Sequence, residues 1–297
     1  MNGKVAGFDR DECDWWKQEG GRAGGREMND GRDRTLVILC VFCVAVIGIA
    51  GIWLAFPNGE RQDRDSLFQV STIGALMEGN YRGVVPFGEI RKHGDFGIGT
   101  FDSLDGEMIA VNGEYFQVTA DGAVLPVPDG ALTPFATVTF FEPDFTFFLS
   151  RADNFSDFSR QVERSLPSKD QIYAVRIPGK FPYVRARSVP RQEEPYPRLV
   201  DAARNQSVFI LEGTRGTMAG LWFPEAFDGL NVPGFHIHYI SDDRKAGGHV
   251  LDFSLENATI EIDATPRFLV TLTPAGGNAT GLSGPNSTEL AGVEQGG

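Results

Sequence analysis

The chain has 297 residues, 41% hydrophobic and 23% charged, enough for one large or two small domains with a sizeable core. Its 27 basic and 40 acidic residues leave a net charge of −13, which excludes the basic footprint of a nucleic-acid binder. Only three cysteines occur, Cys13, Cys40 and Cys43, so the chain beyond residue 43 has no disulfide framework and no thiolate metal site.

Residues 1–34 form a charged, Gly-rich tail with seven Lys/Arg, eight Asp/Glu and no apolar period. Such a stretch buries too little surface to offset its ordering entropy and reads as disordered. Residues 35–56 contain the uncharged run Leu36–Phe56 (LVILCVFCVAVIGIAGIWLAF), 21 residues long. At about 1.5 Å per residue it matches a hydrocarbon core of roughly 30 Å, and it is read as a transmembrane anchor through residues 36–56. Arg26, Arg32 and Arg34 on one side against Arg61 and Arg64 on the other give a slight bias to a cytoplasmic N-terminus, leaving the rest extracytoplasmic. The alternative is a cleaved signal sequence starting at Met28, with Gly48-Ile49-Ala50 as the cleavage site and a secreted product. Five Asn-X-Ser/Thr sequons, at Asn154, Asn205, Asn257, Asn278 and Asn286, are compatible with export.

Residues 57–66 read as a linker, 67–190 as an N-terminal lobe and 191–297 as a C-terminal lobe. Asp65 or Ser66 can cap a helix in which Leu67, Val70, Ile73, Leu76 and Met77 follow the 3.6 period. A second short helix is predicted over 87–92. From 97 to 148 the pattern predicts short strands turned at Asp105-Gly106, Asn112-Gly113 and Asp121-Gly122, dipeptides that tolerate positive φ. Helix is predicted over 154–165 and 196–206, a hairpin turned at Pro178-Gly179 over 171–189, and strands over 207–272. The resulting class is α+β: two lobes of mixed or antiparallel sheets with flanking helices, preceded by the transmembrane segment.

Three of the four histidines fall within fourteen residues. In VPGFHIHYI (232–240), His236 and His238 are two apart on a predicted strand, so both imidazoles share one face. Ser241–Gly248 is turn material, and His249 opens a returning strand. Folding that hairpin brings the third imidazole to the other two, a tripod that leaves open positions on a metal. Arg185 and Arg187 alternate in YVRARSV and either form a paired carboxylate receptor or defend an exposed edge strand. Glu107 alone is an ordinary hairpin glutamate, and His93 reads as a residue at a helix C-terminus. There is no P-loop, and no GxGxxG opens a helix, so no organic cofactor is expected.

The chain resembles the α-acetolactate decarboxylase family from about Leu67 to Glu294. The matching blocks are LFQVSTIGALMEG (67–79), HGDFGIGTFDSLDGEMI (93–109), TPFA (133–136), FFEPD (140–144), YAVRIPGKFPYVRARSVPRQ (173–192), PYP (195–197) and VPGFHIHYISDDRKAGGHVLDF (232–253). The resemblance implies a homodimeric zinc enzyme converting 2-acetolactate, its small-molecule substrate, to acetoin and carbon dioxide. It implies His236, His238 and His249 as zinc ligands and Thr100, Glu107 and Arg187 as active-site residues. It also implies Glu294 as a carboxylate delivered by the C-terminal tail, with Glu289 as the competing candidate. The chemistry suits these residues. Loss of carbon dioxide from a β-keto acid leaves electrons that a divalent ion stabilises as an enediolate, which an acid near the metal then protonates. Two other readings are carried: a His-tripod cupin-like metal enzyme, with Asp242 or Asp243 as a fourth ligand, and a non-catalytic membrane-tethered binding domain.

Overall fold

A computed structural model describes residues 64–272 and 287–295. The first part of the chain builds β1 (Ser66–Val70), α1 (Ile73–Met77), β2 (Val85–Pro86), α2 (Phe87–Ile90), β3 (Phe96–Thr100), β4 (Glu107–Val111), β5 (Glu114–Val118), β6 (Val124–Pro126), β7 (Leu132–Thr133) and β8 (Ala136–Thr139). It continues through β9 (Phe145–Ala152), α3 (Phe155–Glu163), β10 (Tyr173–Ser188), α4 (Leu199–Ala202), β11 (Ser207–Phe223), β12 (Gly234–Ser241), β13 (Gly247–Ala264), β14 (Arg267–Thr271) and α5 (Ser287–Gln295).

Two sheets organise these elements. The first is seven-stranded and mixed, in the order β14-β1-β8-β3-β4-β5-β6, with β14 parallel to β1. The second runs β10-β11-β12-β13-β9, and β10 also pairs with β13, so these strands close on themselves. Inside the closed sheet lie Ile177, Phe181, Val184, Met218, Tyr239 and Phe253, packed by Phe158 and Val162 of α3. The two sheets meet through Leu67, Ile98, Ile109 and Val118 on one side and Ala219, Leu221, Phe223 and Ile240 on the other. Along β12, Phe235, Ile237 and Tyr239 face the closed core, and the alternate residue Ile240 faces the first sheet. Period two therefore turns His236 and His238 toward the first sheet as well.

Mixed sheets with few helices are what the composition of turns and strands predicted. The Asn112-Gly113 turn has both residues at positive φ, 54° and 80°, as a tight hairpin requires. Asn154 caps α3 by accepting from the Asp157 N–H at 2.8 Å.

Three local expectations are corrected. The helix predicted across Leu67–Met77 is a strand followed by a helix. Leu67, Phe68, Gln69 and Val70 are all buried because β1 lies between β14 and β8, and such a doubly covered strand shows no alternation. Ser71 then breaks the strand at φ 61°, and Thr72 accepts from the Ala75 N–H at 3.1 Å to start α1. The hairpin predicted at Pro178-Gly179 is absent, since β10 runs through both residues. Pro178 is tolerated because β13 pairs with β10 only over Tyr173–Arg176 and Tyr183–Arg187, leaving that edge open beside the proline. The lobe boundary at 190/191 falls between β10 and β11, which pair from Tyr173↔Trp222 to Ser188↔Ser207. The described chain lies within one unit, Glu60–Gly297, and its sheets divide as β1–β8 with β14 against β9–β13.

No helix among the described residues is long and apolar enough to cross a membrane. The charged tail, the apolar segment 36–56 and most of the linker lie outside the described residues.

Candidate metal centre and active site

The β12–β13 hairpin sets His238 directly opposite His249, and His236 stands two residues along the same face. The three rings converge. His236 Nε2 lies 3.1 Å from His249 Nδ1 and 3.2 Å from His238 Nε2. Ligands at about 2.0–2.1 Å in a tetrahedral shell are separated by about 3.3 Å, so one small cation fits among them. The protons on two rings are assigned by main-chain carbonyls. The Nδ1–H of His238 donates to Met108 O at 2.9 Å, and the Nε2–H of His249 donates to Glu294 O at 3.0 Å. Their bare nitrogens, Nε2 and Nδ1, face inward, as metal ligation requires. Burial holds all three imidazoles neutral, aided by the Arg187 charge: His236 falls to about 3, and His238 and His249 lie well below the usual value. Among the described residues these histidines form the one group able to hold a metal ion.

Gly248 makes the tripod sterically possible. Its φ is 138°, and a Cβ there would lie 2.4 Å from Arg187 O. Glycine lets β13 close onto β10, so that His249 is paired with His238 on one side and Arg187 on the other.

Carboxylates flank the tripod from two directions in the chain. Glu107, the first residue of β4, places Oε2 3.7 Å from His238 Nε2. Glu294 on α5 places Oε2 3.7 Å from His236 Nε2 and 3.6 Å from His249 Nε2. Burial pushes Glu107 up to about 7; Arg187 and the Val189 N–H oppose the shift, and Glu294 adds to it. Burial also pushes Glu294 up to about 7, against the pull of Arg187. Thr100 ends β3 opposite Glu107, and its hydroxyl donates to Gly106 O at 2.7 Å. Arg187 is only 4% exposed, and its Nη1 donates to Gln206 Oε1 at 3.1 Å.

Together these groups line a small pocket of about 30 Å³, whose other wall is apolar and includes Leu76, Leu104, Phe135 and Leu199. A larger cavity of about 640 Å³ adjoins it and shares His249 and Glu294 as lining.

The remaining candidates stand apart. Arg185 lines the larger cavity rather than the metal pocket, so the two arginines are not a paired receptor. The edge-strand reading fails too, because β10 is paired on both sides. Glu289 pairs with Arg198 at 2.9 Å. Asp242 faces Arg215, and Asp243 accepts from the Ser241 hydroxyl, so neither joins the tripod. His93 follows α2 and stacks on Phe68 at 3.9 Å between centroids. Several contributors left no sequence signal: the Met108 and Glu294 carbonyls, Gln206, and Leu104, which is held at φ 57° against the pocket.

Comparison with known proteins agrees with this arrangement. The family model described as alpha-acetolactate decarboxylase matches residues 67–276. The alpha-acetolactate decarboxylase of Methanosarcina mazei is 50% identical over 222 residues, covering 75% of this chain and 77% of that protein. The one from Bacillus subtilis is 41% identical over 206 residues, covering 69% of this chain and 81% of that protein. A crystal structure of the Bacillus subtilis alpha-acetolactate decarboxylase superposes with a TM-score of 0.73 at 38% identity, covering 77% of this chain and 99% of that one. The chain belongs to the alpha-acetolactate decarboxylase family, and decarboxylation of acetolactate is its activity.

Proposed function

We propose that this decarboxylase acts with a zinc ion held by His236, His238 and His249, converting 2-acetolactate to acetoin and carbon dioxide. The observation that carries the reading is the set of three buried imidazoles whose ligating nitrogens lie within 4.8 Å of one another, with His236 Nε2 at 3.1 and 3.2 Å from the other two. Bound there, zinc supplies a redox-inert divalent charge beside the carbonyl oxygen that gains electrons as carbon dioxide leaves a β-keto acid.

The protein's own groups do the rest. Arg187 presents a planar, permanently charged fork suited to the substrate carboxylate, and its burial strengthens that attraction. The Thr100 hydroxyl gives its proton to Gly106 O, so toward the pocket it accepts, which suits a substrate hydroxyl. Glu107 and Glu294 are the two carboxyl groups beside the tripod, and either one, when protonated, can release its proton to the carbon left electron-rich. Which of them donates fixes the face of protonation, and hence the handedness of acetoin. The apolar wall of Leu76, Leu104, Phe135 and Leu199 excludes water from the reacting carbon.

The test is an acetoin assay on full-length protein in detergent with racemic 2-acetolactate, before and after stripping with a chelator. Loss of turnover on stripping and recovery with one zinc per chain are expected; undiminished turnover in the metal-free protein overturns the zinc reading.

We further propose that the enzyme is a homodimer, on the strength of the family resemblance, and an extracytoplasmic one anchored through residues 36–56. The uncharged length of that segment supports the anchor. Light scattering of the detergent-solubilised protein and alkaline extraction of membranes test the two statements. A monomeric mass overturns the first. Release into the soluble fraction with full protection from added protease in intact cells overturns the second.

A further inference from the structure

One residue of the tail helix serves the tripod twice. Glu294 brings its carboxylate within 3.6–3.7 Å of two histidines, and its main-chain carbonyl accepts from His249 Nε2–H at 3.0 Å. The second contact matters for ligation. It keeps the proton on Nε2 and the lone pair on Nδ1, the atom that faces His236. Both services depend on where α5 sits.

Little holds α5 in place through apolar packing. Leu290 and Val293 are its buried side chains among those described, resting on a cluster that includes Leu199 and Ala202 of α4. Two aliphatic anchors set against the ordering of nine residues leave a small margin, because short helices are marginal without further contacts.

A polar clasp supplies the further contact. Arg198, the residue before α4, reaches both oxygens of Glu289 in the first turn of α5: Nη2 to Oε2 at 2.9 Å and Nη1 to Oε1 at 3.4 Å. The same guanidinium reaches Glu78, which closes α1, from Nε at 3.2 Å and from Nη2 at 2.9 Å. One arginine thus joins the ends of three short helices that surround the metal pocket. Gly79, at φ 87°, lets the end of α1 come this close; a Cβ there would lie 2.8 Å from Pro197 O. A lysine places its three donors on one nitrogen and lacks the planar fork, so it cannot reproduce the two-oxygen contact with Glu289 while it also holds Glu78 in this geometry.

We propose that Arg198 is a positioning residue of the active site: by clasping Glu289 to Glu78 it holds α5 where Glu294 orients His249 and faces the metal. The proposal rests on the reading of the histidine tripod as a zinc site. It assigns Arg198 and Glu289 no contact with substrate. Their effect passes through the tail.

The experiment measures zinc affinity of the full-length protein in detergent by competition with a chromophoric chelator, for the parent, Arg198→Ala, Arg198→Lys, Glu289→Gln and the double variant Arg198→Ala/Glu289→Gln. Outer-shell changes that disturb a ligating histidine weaken metal binding about 10–100-fold, and the expectation here is about tenfold for Arg198→Ala and for Glu289→Gln. The double variant is expected to be no weaker than either single one, since both remove the same clasp. Arg198→Lys falls between parent and Arg198→Ala. Glu289→Gln is nearly isosteric at a part-exposed position, and circular dichroism and a thermal melt matching the parent separate its effect on zinc from a loss of fold. Unchanged zinc affinity in both single variants, or losses that add in the double variant, overturn the clasp. A parent chain that takes up no zinc overturns the tripod reading instead, and with it the premise of this proposal.

Discussion

The Nδ1–H of His238 donates to the main-chain carbonyl of Met108 at 2.9 Å, and the residue before Met108 is Glu107. That bond crosses from the closed sheet to the seven-stranded sheet, so the strand bearing two histidines is registered against the strand that begins at Glu107. The same contact sets the ring's tautomer and brings Glu107 Oε2 to 3.7 Å from His238 Nε2. One hydrogen bond thus links the histidine tripod to the strand that carries Glu107.

Removing any ligand of the tripod should abolish metal binding rather than folding. His236→Ala, His238→Ala and His249→Ala are each expected to lose bound zinc and about 10³-fold or more in turnover, because two imidazoles do not retain the ion. Elemental analysis beside circular dichroism checks this, and a variant that keeps both its zinc and its rate would contradict the assignment.

Arg187 is expected to separate geometry from charge. Arg187→Lys keeps the charge but loses the planar fork, and kcat/KM should fall by about 10²-fold. Arg187→Gln also removes the charge that opposes burial at Glu107 and Glu294, so both carboxyls should titrate at higher pH than in the parent. The pH–rate profiles of the two variants decide the point: the limb governed by carboxyl ionisation moves upward in Arg187→Gln and stays near the parent in Arg187→Lys.

Gly248→Ala tests the close approach of β13 to β10. Its Cβ would meet Arg187 O at 2.4 Å, from a backbone conformation that suits glycine. The strands must separate there, shifting His249 and Arg187 together. A drop in melting temperature with at least about tenfold weaker zinc binding is expected. A variant that matches the parent in both would show that the hairpin has room to spare.

Asp263 provides a pH test outside the metal site. It is 2% exposed, and its carboxyl is pushed up to about 7 by burial, with Asp144, Asp65 and Glu142 adding to the shift and the Glu142 N–H opposing it. In the unfolded chain the group titrates near about 3.9. Between the two values the folded state holds a proton that the unfolded state has released, so stability falls as pH rises from about 4 to about 7 and stays lowered above that. Asp263→Asn keeps an acceptor for the Glu142 N–H and removes the titration. Thermal melts should show the variant more stable than the parent at pH 8 and equal to it near pH 4. Parallel curves for the two proteins across that range would refute the assignment.

Much of this site was legible in the residues alone, for reasons of short range. The period of a strand puts His236 and His238 on one face, and the turn Ser241–Gly248 returns His249 beside them, so three histidines within fourteen residues need only a hairpin to meet. The Asn112-Gly113 turn and the helix predicted over 154–165, observed as Phe155–Glu163, were legible likewise, because backbone preference acts between near neighbours.

What escaped was decided at long range. Leu67–Val70 follows a helical period as well as a strand does, and becomes a strand because β8 and β14 arrive from far along the chain to cover both its edges. Pro178-Gly179 carries a turn's composition, yet β11 pairs straight past it and overrides the local signal. The division of roles between Glu289 and Glu294 shows the limit most clearly. The two lie on one short helix, and only the family resemblance ranked Glu294 first; the residues by themselves did not. Arg198, distant in the chain, pairs with Glu289, and the packing of α5 leaves Glu294 at the histidines. Local pattern sets which groups can share a face, because it depends on bonds the chain already has. Which groups face one another across the fold depends on burial that the whole chain must complete together.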